Sequence, residues 1–171
     1  MTPQRAFLAG EFFSLSLQGA TQRAGIWAEG VPEADRRELH FHLRDLLESL
    51  LDEYVRPVDD TAHAKSIERI ANSLTRRHSG LLADRRFRIG PTQKALNLYL
   101  KYMWCAGEIV QPPHCPIDSL VIKAAKLPKY MNWTQMHSIK EYTNLIAALR
   151  AFAAPLPLAE WELREWVRRD A

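Results

Sequence analysis

The 171-residue chain has two cysteines, seven glycines and no long hydrophobic run. Cys105 and Cys115 cannot build a disulfide framework, and two free thiols suit a reducing compartment. No stretch approaches the roughly 18 uninterrupted apolar residues that a membrane-spanning helix needs. The apolar segment Met1 to Gln18 is interrupted by Glu11 and lacks both a basic leader and a small-residue cleavage site, which argues against a signal peptide. These absences together lead to the expectation of a cytoplasmic protein without a membrane partner. Internal repeats, low-complexity tracts, long linkers and the alternating pattern of strands joined by hairpin turns are also missing.

What is present is a globular composition, with 47% hydrophobic and 25% charged residues, enough for one cored domain over residues 1–171. Its periodic segments all repeat at the helical spacing, so an all-α domain of six to eight helices is expected. One helix is predicted from Pro32 to about Val55, with Leu39, Leu43, Leu46, Leu47, Leu50 and Tyr54 on its apolar stripe. Asp59, Asp60 or Thr61 caps the next, which carries Ile67, Ile70, Ala71 and Leu74 and ends near Gly80. Pro91 opens a third, to about Cys105, and Asp118 or Ser119 opens a short one through Lys126. Two more are predicted over about Trp133–Ala153 and Leu158–Arg169, divided by Pro155 and Pro157. Trp104, Trp133 and Trp161 are read as core aromatics.

The helix from Pro91 is the most informative. Ala95, Leu96, Leu98, Tyr99, Leu100, Tyr102 and Met103 cover most of its circumference, leaving a narrow polar stripe of Gln93, Lys94, Asn97 and Lys101. A helix so apolar is surrounded on most sides, and its polar stripe is expected to face water, a partner or a site.

Charge is unevenly distributed. Residues 1–75 carry eight basic and twelve acidic side chains, residues 76–140 eleven and three, and residues 141–171 four and five. The central segment, 76–140, is therefore strongly basic between two acidic ends. A solvated charged face is one reading of it; the other is an electrostatic footprint for phosphates. Arg85, Arg86 and Arg88, in a turn just before Gly90, are its densest part.

The stretch Arg88-Ile89-Gly90-Pro91-Thr92-Gln93-Lys94-Ala95-Leu96-Asn97, followed by Pro116-Ile117-Asp118-Ser119-Leu120-Val121-Ile122, resembles the core of helix-hairpin-helix DNA glycosylases of the endonuclease III and MutY class. The resemblance implies Gly90 as a hairpin glycine, Lys94 as the catalytic lysine of bifunctional members, Asn97 as the asparagine that follows it, and Asp118 as the catalytic carboxylate. It also implies DNA, more than RNA, as the partner; Arg85, Arg86, Arg88 and Lys101 add charge beside the hairpin, and Gly90, Thr92 and Asn97 complete the expected nucleic-acid contacts, although Pro91 and Thr92 stand where the family has an apolar residue and a second glycine. A loop leading into a helix N-terminus suits a backbone phosphate, and a lysine amine can be a nucleophile if a neighbour such as Lys101 lowers its pKa. Without a four-cysteine cluster, no iron–sulfur cofactor is expected, and no cofactor of any kind is read from the chain.

Each candidate also has a plainer role. Asp118 before an apolar helix reads as an N-cap, Lys94 and Lys101 as solvated lysines, and Asn97 as a surface or hydrogen-bonding residue. Cys105, His114 and Cys115 make three possible metal ligands, one short of a structural zinc site, so no metal is expected. Two functions stay open: a DNA-binding protein resembling a glycosylase, with base excision through Asp118 and Lys94, or a non-enzymatic helical module that binds nucleic acid or a protein. The relative position of Asp118 and Lys94 discriminates between them.

Overall fold

Side-chain caps mark where several of the helices begin. In a computed structural model, which describes residues 2–128 and 132–167, Thr2 accepts a hydrogen bond from Arg5 N–H and Pro3 occupies the first turn of α1, Pro3–Thr21. Helix α2 is Glu33–Glu48 and α3 is Asp60–His78, the latter capped by Asp59. Helix α4, Ile89–Cys105, is followed by the short α5, Ser119–Ala124, by α6, Ile139–Ala153, and by α7, Leu158–Val167. Among the described residues there is no strand. Trp27 and Leu82 form a single isolated bridge, and no helix is long and apolar enough to cross a membrane.

Three expectations are corrected. The apolar N-terminal segment, for which no helix was predicted, is the 19-residue α1; apolar residues lie almost all round it, so it shows little periodic stripe. The helix expected over 32–55 breaks after Glu48, where Ser49 Oγ bonds the Leu46 carbonyl at 2.9 Å, and resumes as a 3₁₀ turn, Leu51–Val55. The helix expected over 133–153 is a 3₁₀ turn, Trp133–Gln135, and then α6, because a capping box of Ser138 and Glu141 starts the helix afresh. The expected end of the last helix, at Arg169, lies outside the described residues.

Helix α4 is the axis of the fold. It packs against α1, α3, α6 and the Trp133–Gln135 turn, while α2 packs on α3 and α7 on α6. Leu96, Tyr99, Leu100 and Ala95 are fully buried around it, which bears out the reading of a helix enclosed on most sides. It starts at Ile89, so Pro91 lies in its first turn, where a missing N–H costs no intrahelical bond. Trp133 and Trp161 are buried, and Trp104 packs partly buried against the same core.

Candidate functional site

The polar stripe of α4 faces the interior rather than water. Gln93 and Asn97 are completely buried, and Lys94 and Lys101 are each 8% exposed. Their partners come from other parts of the chain, and the arrangement divides into two buried ion pairs and one hydrogen-bonded network.

Lys94 and Asp118 converge. Lys94 Nζ donates to Asp118 Oδ2 at 2.6 Å, and the ammonium also lies over the Trp133 ring, 4.9 Å from its centroid. Asp118 Oδ1 accepts the Leu120 and Val121 amides, both at 2.9 Å, as the N-cap of α5. Both carboxylate oxygens are thus engaged: one holds a helix end and the other a lysine. Two turns further along α4, Lys101 Nζ sits between the two oxygens of Glu162 on α7, at 3.0 and 2.7 Å, with the Trp166 ring 5.2 Å away. The expectations that Lys101 lowers the Lys94 pKa or meets a phosphate give way to this buried pairing with Glu162.

Between the two lysines runs a network whose proton positions follow from one backbone anchor. Ile117 N–H donates to Gln93 Oε1 at 3.1 Å and Gln93 Nε2 donates to Ile117 O at 2.8 Å, which orients the Gln93 amide. Gln93 Oε1 therefore accepts from Asn97 Nδ2, so Asn97 Oδ1 faces His63 Nε2 at 2.8 Å and His63 is the donor there. His63 Nδ1 is left to accept from Tyr54 OH at 2.7 Å. Asn97 Nδ2 also donates to Tyr142 OH at 3.1 Å, and Tyr142 OH donates to His114 Nδ1 at 2.7 Å. His114 Nε2 then points to Asp60 Oδ1, 3.3 Å away but outside hydrogen-bond geometry, while Asp60 is held by Arg150 at 2.7 Å.

Burial pushes the His63 imidazole down to about 3, with the neighbouring His114 adding to the effect. Burial and the Arg150 cation push His114 down to about 3 as well. Burial lifts the Tyr142 phenol well above its ordinary value. The network is neutral throughout, and its side chains fill the space between α3, α4 and α6. Sequence reasoning missed His63 and Tyr142, placed Tyr54 only on an apolar stripe and weighed His114 only as a metal ligand. The signal was there for two of them: His63 continues the buried Ile67, Ile70 and Leu74 stripe of α3, and Tyr142 the Leu145, Ile146 and Leu149 stripe of α6.

The residues expected to hold phosphate separate into an inner and an outer group. Arg88 is buried, its guanidinium bonded to Asp84 and to the Ala24 carbonyl, with Gly25 O at 3.3 Å. Gly90 N–H donates to Met136 O at 3.1 Å, and a Cβ at this position would lie 1.8 Å from the Trp133 carbonyl oxygen. Thr92 Oγ1 bonds the Arg88 carbonyl at 2.7 Å inside the core. Arg88, Gly90, Thr92, Asn97 and Lys101, expected at phosphates, thus lie in the interior, with most of their donors bonded within the fold. Arg85 and Arg86 remain exposed.

The turn that carries them folds back on α3. Phe87 N–H donates to Thr75 Oγ1 at 3.0 Å, which ties the backbone that follows Arg86 to α3 at the residue before Arg76. Arg85 takes a left-handed φ of 53° at the apex. Asp84, the acid of this turn, is spent on Arg88. Arg77 pairs with Glu38, but among the described residues no carboxylate pairs with Arg76, Arg85 or Arg86.

A pocket of about 450 Å³ opens beside Trp133, lined by Asn132, Trp133, Gln135, Met136, Glu141, Asn144 and Leu145. Neither Lys94 nor Asp118 lines it. Of the three residues weighed as metal ligands, Cys115 is fully buried, Cys105 is exposed and His114 belongs to the network. No group of three His, Cys, Asp or Glu side chains among the described residues is placed to hold a metal ion.

No protein-family model matches this chain, and no curated protein or solved structure matches it either.

Proposed function

We propose that this protein is a helical nucleic-acid-binding module that holds phosphates through Arg76, Arg85 and Arg86. The observation that carries the reading is the Thr75–Phe87 hydrogen bond, which ties the turn bearing Arg85 and Arg86 to the part of α3 bearing Arg76, three exposed arginines with no carboxylate partner among the described residues. Guanidinium groups match phosphate oxygens in a bidentate fork. The nearest acid in sequence is already neutralised by a buried arginine, so the cluster keeps its field. The excess of eleven basic over three acidic side chains in residues 76–140 supports the same reading. DNA ranks ahead of RNA on the Arg88–Ile122 resemblance.

The test is fluorescence anisotropy with labelled DNA and RNA of equal length across a salt series. Affinity should fall linearly on a log–log plot. The triple variant R76Q/R85Q/R86Q should bind at least tenfold more weakly at low salt, with the slope reduced by about 0.9 for each phosphate that is no longer neutralised. Arg88 is left intact in this variant because it belongs to the interior. No binding at low salt, or an unchanged slope, discards the proposal.

A second reading, base excision in the manner of a glycosylase, keeps one observation in its favour: Lys94 and Asp118 do meet, next to Trp133. It requires Asp118 to release either Lys94 or the α5 amides, since both oxygens are occupied. Incubation with a panel of damaged and mismatched duplexes, with borohydride to trap a lysine imine, tests it. Abasic product that disappears in D118N and an adduct that disappears in K94Q would support excision, and no product from any duplex would end it.

A further inference from the structure

The pocket beside Trp133 has a composition that the arginine cluster does not explain. Its apolar surface comes from Trp133, Met136 and Leu145, all of them mostly buried. Its rim carries three carboxamides and one carboxylate. Much of that polar inventory is unengaged. Asn132 Oδ1 accepts from Thr134, which leaves its Nδ2 group free. Glu141 Oε2 accepts from the amides of His137 and Ser138 and from the Ser138 hydroxyl, which leaves Oε1 free. Gln135 and Asn144 are exposed, and their side chains carry no bond to another described residue.

A carboxamide presents a donor and an acceptor side by side in one plane. That pattern pairs with the edge of a nucleobase, as Asn and Gln pair with adenine. An apolar floor with a few polar groups on its rim is the usual form of a site for a flat heteroaromatic ring, and 450 Å³ is ample for a base and its sugar. The pocket is also tied mechanically to the arginine turn. Met136 O accepts the Gly90 amide at 3.1 Å, and Gly90 stands four residues after Arg86, at most ~14 Å of chain. The close approach of Gly90 to the Trp133 carbonyl holds the pocket and the start of α4 in one relative position.

We infer that this pocket receives a single unpaired nucleobase, either from the strand whose phosphates Arg85 and Arg86 hold or from a free nucleotide. The strand version rests on the nucleic-acid reading above; the pocket version does not. An unpaired base is favoured over a paired one because its edge is exposed and it has little stacking energy to lose.

The experiment compares a perfect duplex, the same duplex with one bulged base, and a single strand, and measures adenosine and cytidine monophosphate separately by calorimetry. The wild type should prefer the bulged duplex and single strand over the perfect duplex by about tenfold or more. Q135A/N144A changes only exposed side chains, so its helical spectrum should match the wild type. It should lose the preference while keeping the perfect-duplex affinity and its salt slope. R76Q/R85Q/R86Q should weaken all three nucleic acids together. If no nucleic acid binds but a mononucleotide does, and Q135A/N144A abolishes that binding, the arginine reading fails and the pocket stands as a free-nucleotide site. Equal affinity for perfect and bulged duplexes with no mononucleotide binding, or a preference that survives in Q135A/N144A, would overturn the inference.

Discussion

Lys94 Nζ lies 2.6 Å from Asp118 Oδ2, while Oδ1 of the same carboxylate caps α5. One side chain thus does two separable jobs. D118N keeps an oxygen for the cap but removes the charge facing a lysine that is 8% exposed. It should cost about 3 kcal/mol, the scale for breaking a buried pair, and D118A about 1 kcal/mol more for the missing cap. K94M/D118N should recover most of that loss, because no uncompensated charge remains. Urea denaturation of the four proteins checks this; a cost near zero for D118N would show that the carboxylate acts as a cap alone.

Asn97 serves three partners at once, His63, Gln93 and Tyr142. N97L should leave His63 Nε2–H without its acceptor inside the core and take one bond each from Gln93 and Tyr142, at a cost of about 3 kcal/mol. Y142F removes one hydroxyl between Asn97 and His114 and should cost about 1–3 kcal/mol. Because they share a hydrogen bond, the double variant should lose less than the sum of the singles. Additive losses would mean that the network is not coupled.

Acid should destabilise the protein over a defined window. His63 and His114 are both pushed down to about 3 in the fold, against about 6.5 when unfolded. Between those values the unfolded chain binds more protons, so stability rises with pH there. The full contribution is present above about pH 6.5 and is lost as the pH falls towards 3, with a slope of up to about 1.4 kcal/mol per pH unit for each histidine. His40, His42 and His78, also lowered by burial, act in the same direction. Melting temperatures should be flat from pH 7 to 8 and fall steadily below 6.5. A flat profile down to pH 5 would contradict the buried neutral pair.

Two glycines should respond differently to alanine. A Cβ on Gly90 meets the Trp133 carbonyl oxygen at 1.8 Å, backbone that cannot move aside without shifting the whole turn. G90A should lower stability by about 3 kcal/mol or more, or prevent folding. A Cβ on Gly80 meets nothing within 4 Å, so G80A should stay within about 0.5 kcal/mol. Thermal melts of both separate a packing requirement from a general intolerance of alanine.

Arg85 and Arg88 show why the site was only partly legible in the sequence. They stand three positions apart in one basic turn, and by composition they are equivalent. In the fold one is exposed at a left-handed apex, and the other is buried against Asp84 and two carbonyls near the end of α1. Asp84, within the turn, is four residues before Arg88, but the two carbonyls that draw Arg88 inward come from 63 and 64 residues away. Asp118 and Lys94 were recognisable as candidates, and Asp118 as a cap, since a cap is satisfied by amides two and three residues on.

Helix formation depends on neighbours a turn apart, so periodicity and caps in the chain were sufficient to determine the all-α class, the enclosed α4 and the starts of α3, α5 and α7. The polar stripe of α4 was also visible, but its environment was not. Whether Gln93, Lys94, Asn97 and Lys101 meet water or one another's partners depends on Ile117, Asp118, His63, Tyr142 and Glu162, contributed by separate segments of chain. Hydrogen bonds and ion pairs stabilise only what is brought within about 3 Å. Which side chains reach that distance is decided by how whole helices pack, and that is a property of the assembled core.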